Sequence, residues 1–179
     1  MKVSNTNIEG LIKIKNKIIF DDRGYFIELL KKNQLEKIIK TQLVQENISF
    51  SKNKYTLRGM HAQLGKSKQA KLVRCLKGKI LDIAVDIRKQ SPTFLKHYKI
   101  ELSENNALQL FIPAGFLHGF LTLEKNTLVN YFCSSYYSKN DEINVNFSDP
   151  KINIDWGIDR KRITISKKDK NAPYFYNLV

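Results

Sequence analysis

The chain has 179 residues, the length of one domain, and its 42% hydrophobic and 11% aromatic content excludes a disordered tail or a fibre. No apolar run approaches the roughly 18 to 20 residues that span a bilayer, and the opening MKVSNTNIEG lacks the apolar core of a signal peptide. Two cysteines, Cys75 and Cys133, are too few for a zinc knuckle or a disulfide scaffold, so a soluble, reduced, cytoplasmic protein with no membrane partner is expected.

Along the chain the pattern is mostly strand. Leu11 to Phe20 (LIKIKNKIIF) alternates apolar and basic residues, which predicts one half-buried strand. Lys32 to Thr41 sets Leu35, Ile38 and Ile39 at helical spacing, with Asn33 as a candidate N-cap. Lys71 to Leu76, the turn Lys77-Gly78-Lys79 and the alternating Ile80 to Ile87 predict a hairpin. Shorter strands follow at Tyr98 to Leu102, Ala107 to Ile112, Gly119 to Leu123 and Leu128 to Ser134, separated by turn signals such as Ser91-Pro92 and Pro113-Ala114-Gly115. Ser166-Lys167-Lys168-Asp169 reads as a short capped turn, a capping box with Asp in place of Glu. Many short strands at spacings of about 8 to 12 residues favour a sandwich or barrel. No repeat or linker divides the chain, so residues 1–179 read as one mainly β domain, a cupin-type jelly-roll barrel with a few short helices.

Thirty-one Lys and Arg against seventeen Asp and Glu give a net charge of +14. Such a balance suits a nucleic-acid binder, and it equally suits a site for a diphosphate. The lysines are spread over the whole chain, and no basic run carries interleaved aromatics, so no nucleic-acid partner is expected.

Taken singly, the polar motifs are weak. His61 closes Leu57-Arg58-Gly59-Met60-His61, a stretch that reads as too polar for core, and Arg23-Gly24 repeats the Arg-Gly pairing. Arginine beside glycine suits close approach to a phosphate, because glycine admits the backbone and the guanidinium fork takes two oxygens. His118 follows the Pro-x-Gly turn, which would carry it to a barrel mouth; it is equally an ordinary hydrogen-bonded histidine. Cupins often bind metal, but the three histidines, His61, His97 and His118, include no His-x-His pair, so no metal is expected. Lys71, Tyr131, Tyr136-Tyr137 and Asp169 each have a bland reading as surface charge, strand packing or helix cap.

Together they are specific. Arg23-Gly24, Gln45-Glu46-Asn47, Leu57 to His61, Lys71-Leu72-Val73-Arg74, Asp82 to Arg88, Ile112 to Phe120, Tyr131 with Tyr136-Tyr137, and Ser166 to Asp169 occur in one order. In that order and spacing the chain resembles the dTDP-4-dehydrorhamnose 3,5-epimerase family, from about Gly10 to Pro173. The resemblance implies a homodimer, no cofactor, and a nucleotide-diphospho-4-keto-6-deoxy sugar as substrate. It implies His61 as base, Asp169 as the carboxylate that orients it, Lys71 as enolate stabiliser and Tyr131 as acid. It further implies substrate contacts from Arg23, Glu28, Gln45, Asn47, Arg58, His118, Glu142 and Lys168, with Tyr137 stacking on the base.

The chemistry explains that set. A 4-keto group acidifies the C–H bonds at C3 and C5, and inversion through an enolate needs a base and an acid on opposite faces of the ring. Departures from the family pattern are Ala62 in place of a common Tyr, Glu46 in place of Asp, Ile48 in place of His, and Leu64 to Lys68 in place of a proline-containing link. They leave the sugar and the base open. Alternatives are a C3-only epimerase or a ketoisomerase on a related dTDP- or GDP-4-keto sugar, and a non-catalytic sugar- or nucleic-acid-binding cupin.

Overall fold

The structure is a computed structural model and describes residues 1–177. In chain order its elements begin with β1 (Lys2–Asn5), β2 (Ile12–Lys15), β3 (Ile18–Asp21), β4 (Gly24–Ile27), α1 (Lys32–Ile39), β5 (Gln45–Ser51), β6 (Thr56–Gln63), β7 (Lys71–Lys77) and β8 (Lys79–Asp86). They continue with β9 (His97–Ser103), β10 (Leu108–Ile112), β11 (Phe116–Thr122), β12 (Thr127–Cys133), β13 (Glu142–Asn144), β14 (Thr164–Ile165) and α2 (Lys167–Lys170).

Two sheets carry the fold. The first runs β1-β2-β10-β7-β12-β5; the second runs β13-β6-β11-β8-β9, with β14 added parallel to β6. They face each other as a jelly-roll sandwich and do not close into one continuous barrel. The inner layer joins Val73, Leu110 and Val129 of the first sheet to Ile80, Ala84 and Phe120 of the second. Outside the first sheet, Leu35 and Ile39 of α1 pack on Leu72 and Phe111. Full burial of such a side chain contributes about 1.5–3 kcal/mol. Outside the second sheet, Trp156 and Phe175 cover Leu117 and Leu121. Each sheet thus carries apolar side chains on both faces, one on the shared inner layer and one under its cover.

Four expectations from the sequence change. The segment Leu11 to Phe20 is two strands, because Asn16 is buried: its Nδ2 donates to Glu28 O at 2.6 Å and its Oδ1 accepts from Gln109 Nε2 at 2.7 Å. That side-chain network replaces the ladder and turns the chain. The helix ends at Ile39, where Lys40 adopts a left-handed conformation, and its N-cap is Lys31 rather than Asn33. The strands β7 and β8 are joined at Gly78 as the turn signal predicts, but they are not a hairpin; each belongs to a different sheet. Gly78 has φ +76°, and a Cβ there would lie 2.7 Å from Thr127 Oγ1. Finally, the stretch around His61 is core strand, with Leu57, Met60 and Ala62 all buried.

The hairpin β3–β4 pairs only with itself and exposes Phe20, Tyr25 and Phe26. Among the described residues no helix is long and apolar enough to cross a membrane.

Candidate active site

A cleft of about 530 Å³ opens between the sheets, and a second cavity of about 340 Å³ adjoins it. Three side chains line both: His61, Lys71 and Tyr131. His61 comes from β6 in the second sheet, whereas Lys71 and Tyr131 come from β7 and β12 in the first. Lys71 pairs with Cys133 in the ladder, so Tyr131, two residues earlier, shares its face. The base candidate therefore stands on one wall, with the acid and the cation on the other.

His61 is fixed from the far end of the chain. Its Nε2 lies 2.7 Å from Asp169 Oδ1. Ser166 caps α2 by accepting from the Asp169 N–H at 3.0 Å, as the capping signal predicts. The reciprocal half of the box is absent, because the Asp169 carboxylate turns to His61 instead. A carboxylate can only accept, so Nε2 is the donor in this bond and Nδ1 is the ring nitrogen left without a partner among the described residues. Burial alone would raise the Asp169 carboxyl. The hydrogen bond and charge of His61, aided by the Gly59 N–H, outweigh it and hold the group below the usual carboxylate range.

The strand beneath His61 depends on close backbone approach. A Cβ at Gly59 would lie 2.6 Å from Gly119 Cα, and one at Gly119 would lie 2.6 Å from Met60 Sδ. Two glycines opposite each other let β6 and β11 meet across an irregular register that sets His61 directly opposite His118. His118 is buried, with Nε2 2.7 Å from Asp82 Oδ1, so it lies in the floor of the cleft rather than at its mouth. Burial pushes its pKa down, with Lys71 and His61 acting in the same direction against Asp82.

Lys71 is half-buried in the wall shared by the two cavities and makes no ion pair or side-chain hydrogen bond among the described residues. Burial pushes its ammonium below the usual lysine value, opposed by Cys133, Asp82 and Glu142. The Tyr131 phenol is pushed up by burial and by Cys133, with Arg58 opposing, so it keeps its proton at neutral pH. An electrophilic cation and a protonated acid thus share one wall.

The remaining expected contacts fall into three groups. Arg58 spans the sheets, with Nε donating to Ser51 Oγ at 3.2 Å and a terminal nitrogen to Phe50 O at 2.8 Å. Around the second cavity, Gln45 Nε2 donates to Asn47 Oδ1 at 3.0 Å, and Gln45 Oε1 accepts the Tyr137 N–H at 3.0 Å. The Tyr137 hydroxyl and Lys168 Nζ both donate to Glu142 Oε2, at 3.1 and 2.7 Å. Arg23 and Glu28 are not brought to the cleft by their own chain. Arg23 pairs with Asp21 at 2.6 Å and Glu28 with Lys31 at 3.1 Å, on the hairpin and its stem that stand away from both cavities.

Of the unusual positions, Ala62 is buried and lines the second cavity, Glu46 accepts from Asn130 Nδ2 at 2.9 Å, and Ile48 points to solvent. Sequence reasoning missed Asp82 and Ser51. Asp82 stood only as the first residue of the Asp82 to Arg88 motif, and the signal for it was a carboxylate inside the apolar run ILDIAVDI. Among the described residues no group of three or more His, Cys, Asp or Glu is arranged to hold a metal ion.

A family model described as dTDP-4-dehydrorhamnose 3,5-epimerase matches residues 5–177. The Salmonella typhimurium dTDP-4-dehydrorhamnose 3,5-epimerase is 41% identical over 175 residues, covering 97% of this chain and 94% of that protein. The crystal structure of the Elizabethkingia anophelis dTDP-4-dehydrorhamnose 3,5-epimerase superposes with a TM-score of 0.92 at 41% identity, covering 99% of this chain and 97% of that one. A Legionella pneumophila 3,5-epimerase, solved in complex with dTDP-4-keto-L-rhamnose, gives a TM-score of 0.92 at 38% identity, covering 99% of this chain and 94% of that one. With the order of its motifs, its two-sheet fold and these matches in agreement, the chain belongs to the dTDP-4-dehydrorhamnose 3,5-epimerase family.

Proposed function

We propose that this chain inverts C3 and C5 of a dTDP-4-keto-6-deoxy sugar without a cofactor or metal. One observation carries the reading: a carboxylate-oriented histidine faces a cation and a protonated tyrosine across one cleft. His61 Nδ1 takes the proton from C3, and the electron pair moves to the 4-keto oxygen. Lys71 stabilises that oxygen as an enolate, a contribution of about 3–4 kcal/mol for a comparable oxyanion donor. Tyr131 returns a proton to the opposite face. His61 then releases its proton to solvent and Tyr131 regains one, so the pair is reset. A turn of the ring brings C5 to the same base.

Arg58 and Lys168 suit the diphosphate, with Gln45, Asn47, Glu142 and His118 around the sugar and nucleotide, and Tyr137 stacked on the base. In this reading the other lysines are spectators, and no nucleic acid is bound. Arg23 and Glu28 act in a homodimer, where the exposed β3–β4 hairpin reaches a second copy; Phe20, Tyr25 and Phe26 give it an apolar surface to bury there. The whole chain serves as one domain. Two free buried thiols, Cys75 and Cys133, suit the cytoplasm.

The test is incubation with dTDP-4-keto-6-deoxyglucose in D₂O, with deuterium counted at C3 and C5 by NMR. Deuterium at both carbons is expected. Label at C3 alone would make the chain a one-centre epimerase, and label at neither would overturn the reading.

A further inference from the structure

A further hollow, of about 470 Å³, has no part in the scheme above. It opens beside the C-terminal end of α1, on the outer face of the first sheet. Its floor is apolar, with Ile39 from α1, Ile12 from β2, Phe111 from β10 and Pro113 just beyond that strand. Its rim carries Lys40, Lys66 and Lys68, and among the described residues no Asp or Glu lines it. All three lysines are exposed, and none makes an ion pair among the described residues.

Lys66 and Lys68 stand on the link Leu64 to Lys68, which departs from the family pattern and which the epimerisation leaves unused. The link is pinned to the end of β12. Ser135 Oγ donates to Lys68 O at 3.1 Å, Gln69 Nε2 donates to Ser135 O at 2.7 Å, and the Ala70 N–H donates to Ser134 Oγ at 2.8 Å. Alternation then divides the two strand ends. Ala70 and Ser134 line the hollow, while their neighbours Lys71 and Cys133 pair in the ladder and line the second cavity. An occupant of the hollow therefore stands on the reverse side of the ladder that carries Lys71.

Charge and shape together select the occupant. Like charges on one rim repel, and an anion between them removes that cost. The last turn of α1 brings partial negative charge to the rim, and Lys40, directly after it, offsets that charge. Lys66 and Lys68 are then the pair left for a ligand. A bare inorganic anion would leave the apolar floor wet, and a neutral apolar molecule would leave the two ammoniums unanswered. We propose that the hollow is a second ligand site that takes a small amphipathic organic anion, with its ring or short chain on Ile12, Ile39 and Phe111 and its charged head between Lys66 and Lys68. The volume suits a ligand of that size. The site is separate from the epimerase reading and stands or falls without it.

The probe is 4-phenylbutyrate, a ring and a carboxylate joined by a short chain, titrated into the full chain and followed by amide NMR shifts. Saturating shifts are expected at Gly10, Thr41 and Ala114, which line the hollow. Reversing both charges in Lys66→Glu with Lys68→Glu should weaken binding about tenfold or more. The same reversal in Lys52→Glu with Lys125→Glu, exposed lysines that do not line the hollow, should change it by less than about twofold. The neutral 4-phenylbutyramide should bind the parent chain about tenfold more weakly, an arm that needs no variant to fold. No saturation, equal weakening by both reversals, equal affinity for the amide, or shifts confined to Ser49, Arg58 and Thr164 of the cleft would each overturn the proposal. Deuterium exchange into the sugar reports on the epimerase reading alone, so failure of one is told apart from failure of the other.

Discussion

His61 and His118 are cross-strand neighbours on β6 and β11, and each meets an aspartate at 2.7 Å. The two pairs differ in access. The His61 side chain is 30% exposed and opens to both cavities, whereas that of His118 is 7% exposed and Asp82 is sealed. They also differ in how the carboxylate is held. The Asp169 carboxylate takes His61 Nε2 on one oxygen and the Gly59 N–H on the other, while among the described residues Asp82 has an oxygen with no donor at all. The same two side chains thus serve two purposes. An accessible histidine whose partner carboxylate is fully hydrogen-bonded can gain and lose a proton each turnover. A sealed one keeps its Nε2 turned to Asp82.

The largest expected effect separates the pairs directly. His61→Asn should lose exchange at both carbons by more than about a hundredfold, the lower range of a general base. His118→Gln should cost about tenfold and keep exchange measurable, since it alters recognition only. Equal losses in D₂O exchange would erase the distinction.

Asp169→Asn comes next. An amide can present either a donor or an acceptor to Nε2, so the tautomer is no longer fixed and turnover should fall about tenfold to a hundredfold, with KM little changed. The depressed Asp169 carboxyl also carries a stability signature. Its contribution is complete above the ordinary carboxylate value and is lost as pH falls through the lower folded value. Acid melting curves of the parent and of Asp169→Asn should therefore converge at low pH; curves that stay parallel would contradict the pairing.

Tyr131→Phe sharpens the view of the opposite wall. Deprotonation uses only His61 and Lys71, so exchange at C3 should survive, while inverted product drops about tenfold more than exchange does. Parallel loss of both would remove Tyr131 as the dedicated acid. Arg58→Lys should raise KM and lower turnover by about tenfold in kcat/KM, because one ammonium cannot hold Ser51, Phe50 and a phosphate at once. Unchanged kinetics would move the diphosphate elsewhere. The smallest effect expected is from EDTA, which should leave the rate as it was; loss restored by one equivalent of a divalent metal would demand a different electrophile.

Residue order made the proposed catalytic set legible, since His61, Lys71, Tyr131 and Asp169 are each unremarkable alone yet gather at one cleft. It did not make the neighbours legible. The alternation in Ile80 to Ile87 says which side chains share a face, but not which strand lies alongside, so a sharp turn at Gly78 looked like a hairpin although it passes between sheets. Nor does alternation place Asp82, because β8 is buried on both faces and leaves no solvent side. Around His61 the polar residues hid a core strand, since Arg58 and His61 face the cleft while Leu57 and Met60 fill the other side. Arg23 and Glu28 matched the pattern, yet the fold puts them in local ion pairs with Asp21 and Lys31, away from both cavities.

The link between His61 and Asp169 spans 108 residues. During synthesis, both sheets can assemble from β1 to β12 before the ribosome reaches α2. A nascent chain at that stage holds the histidine, the lysine and the tyrosine in their strands without the carboxylate that arms the base. On the proposed scheme the base is oriented only once this four-residue helix docks, and a protease cut before Ser166 that frees the helix should cost about as much turnover as Asp169→Asn.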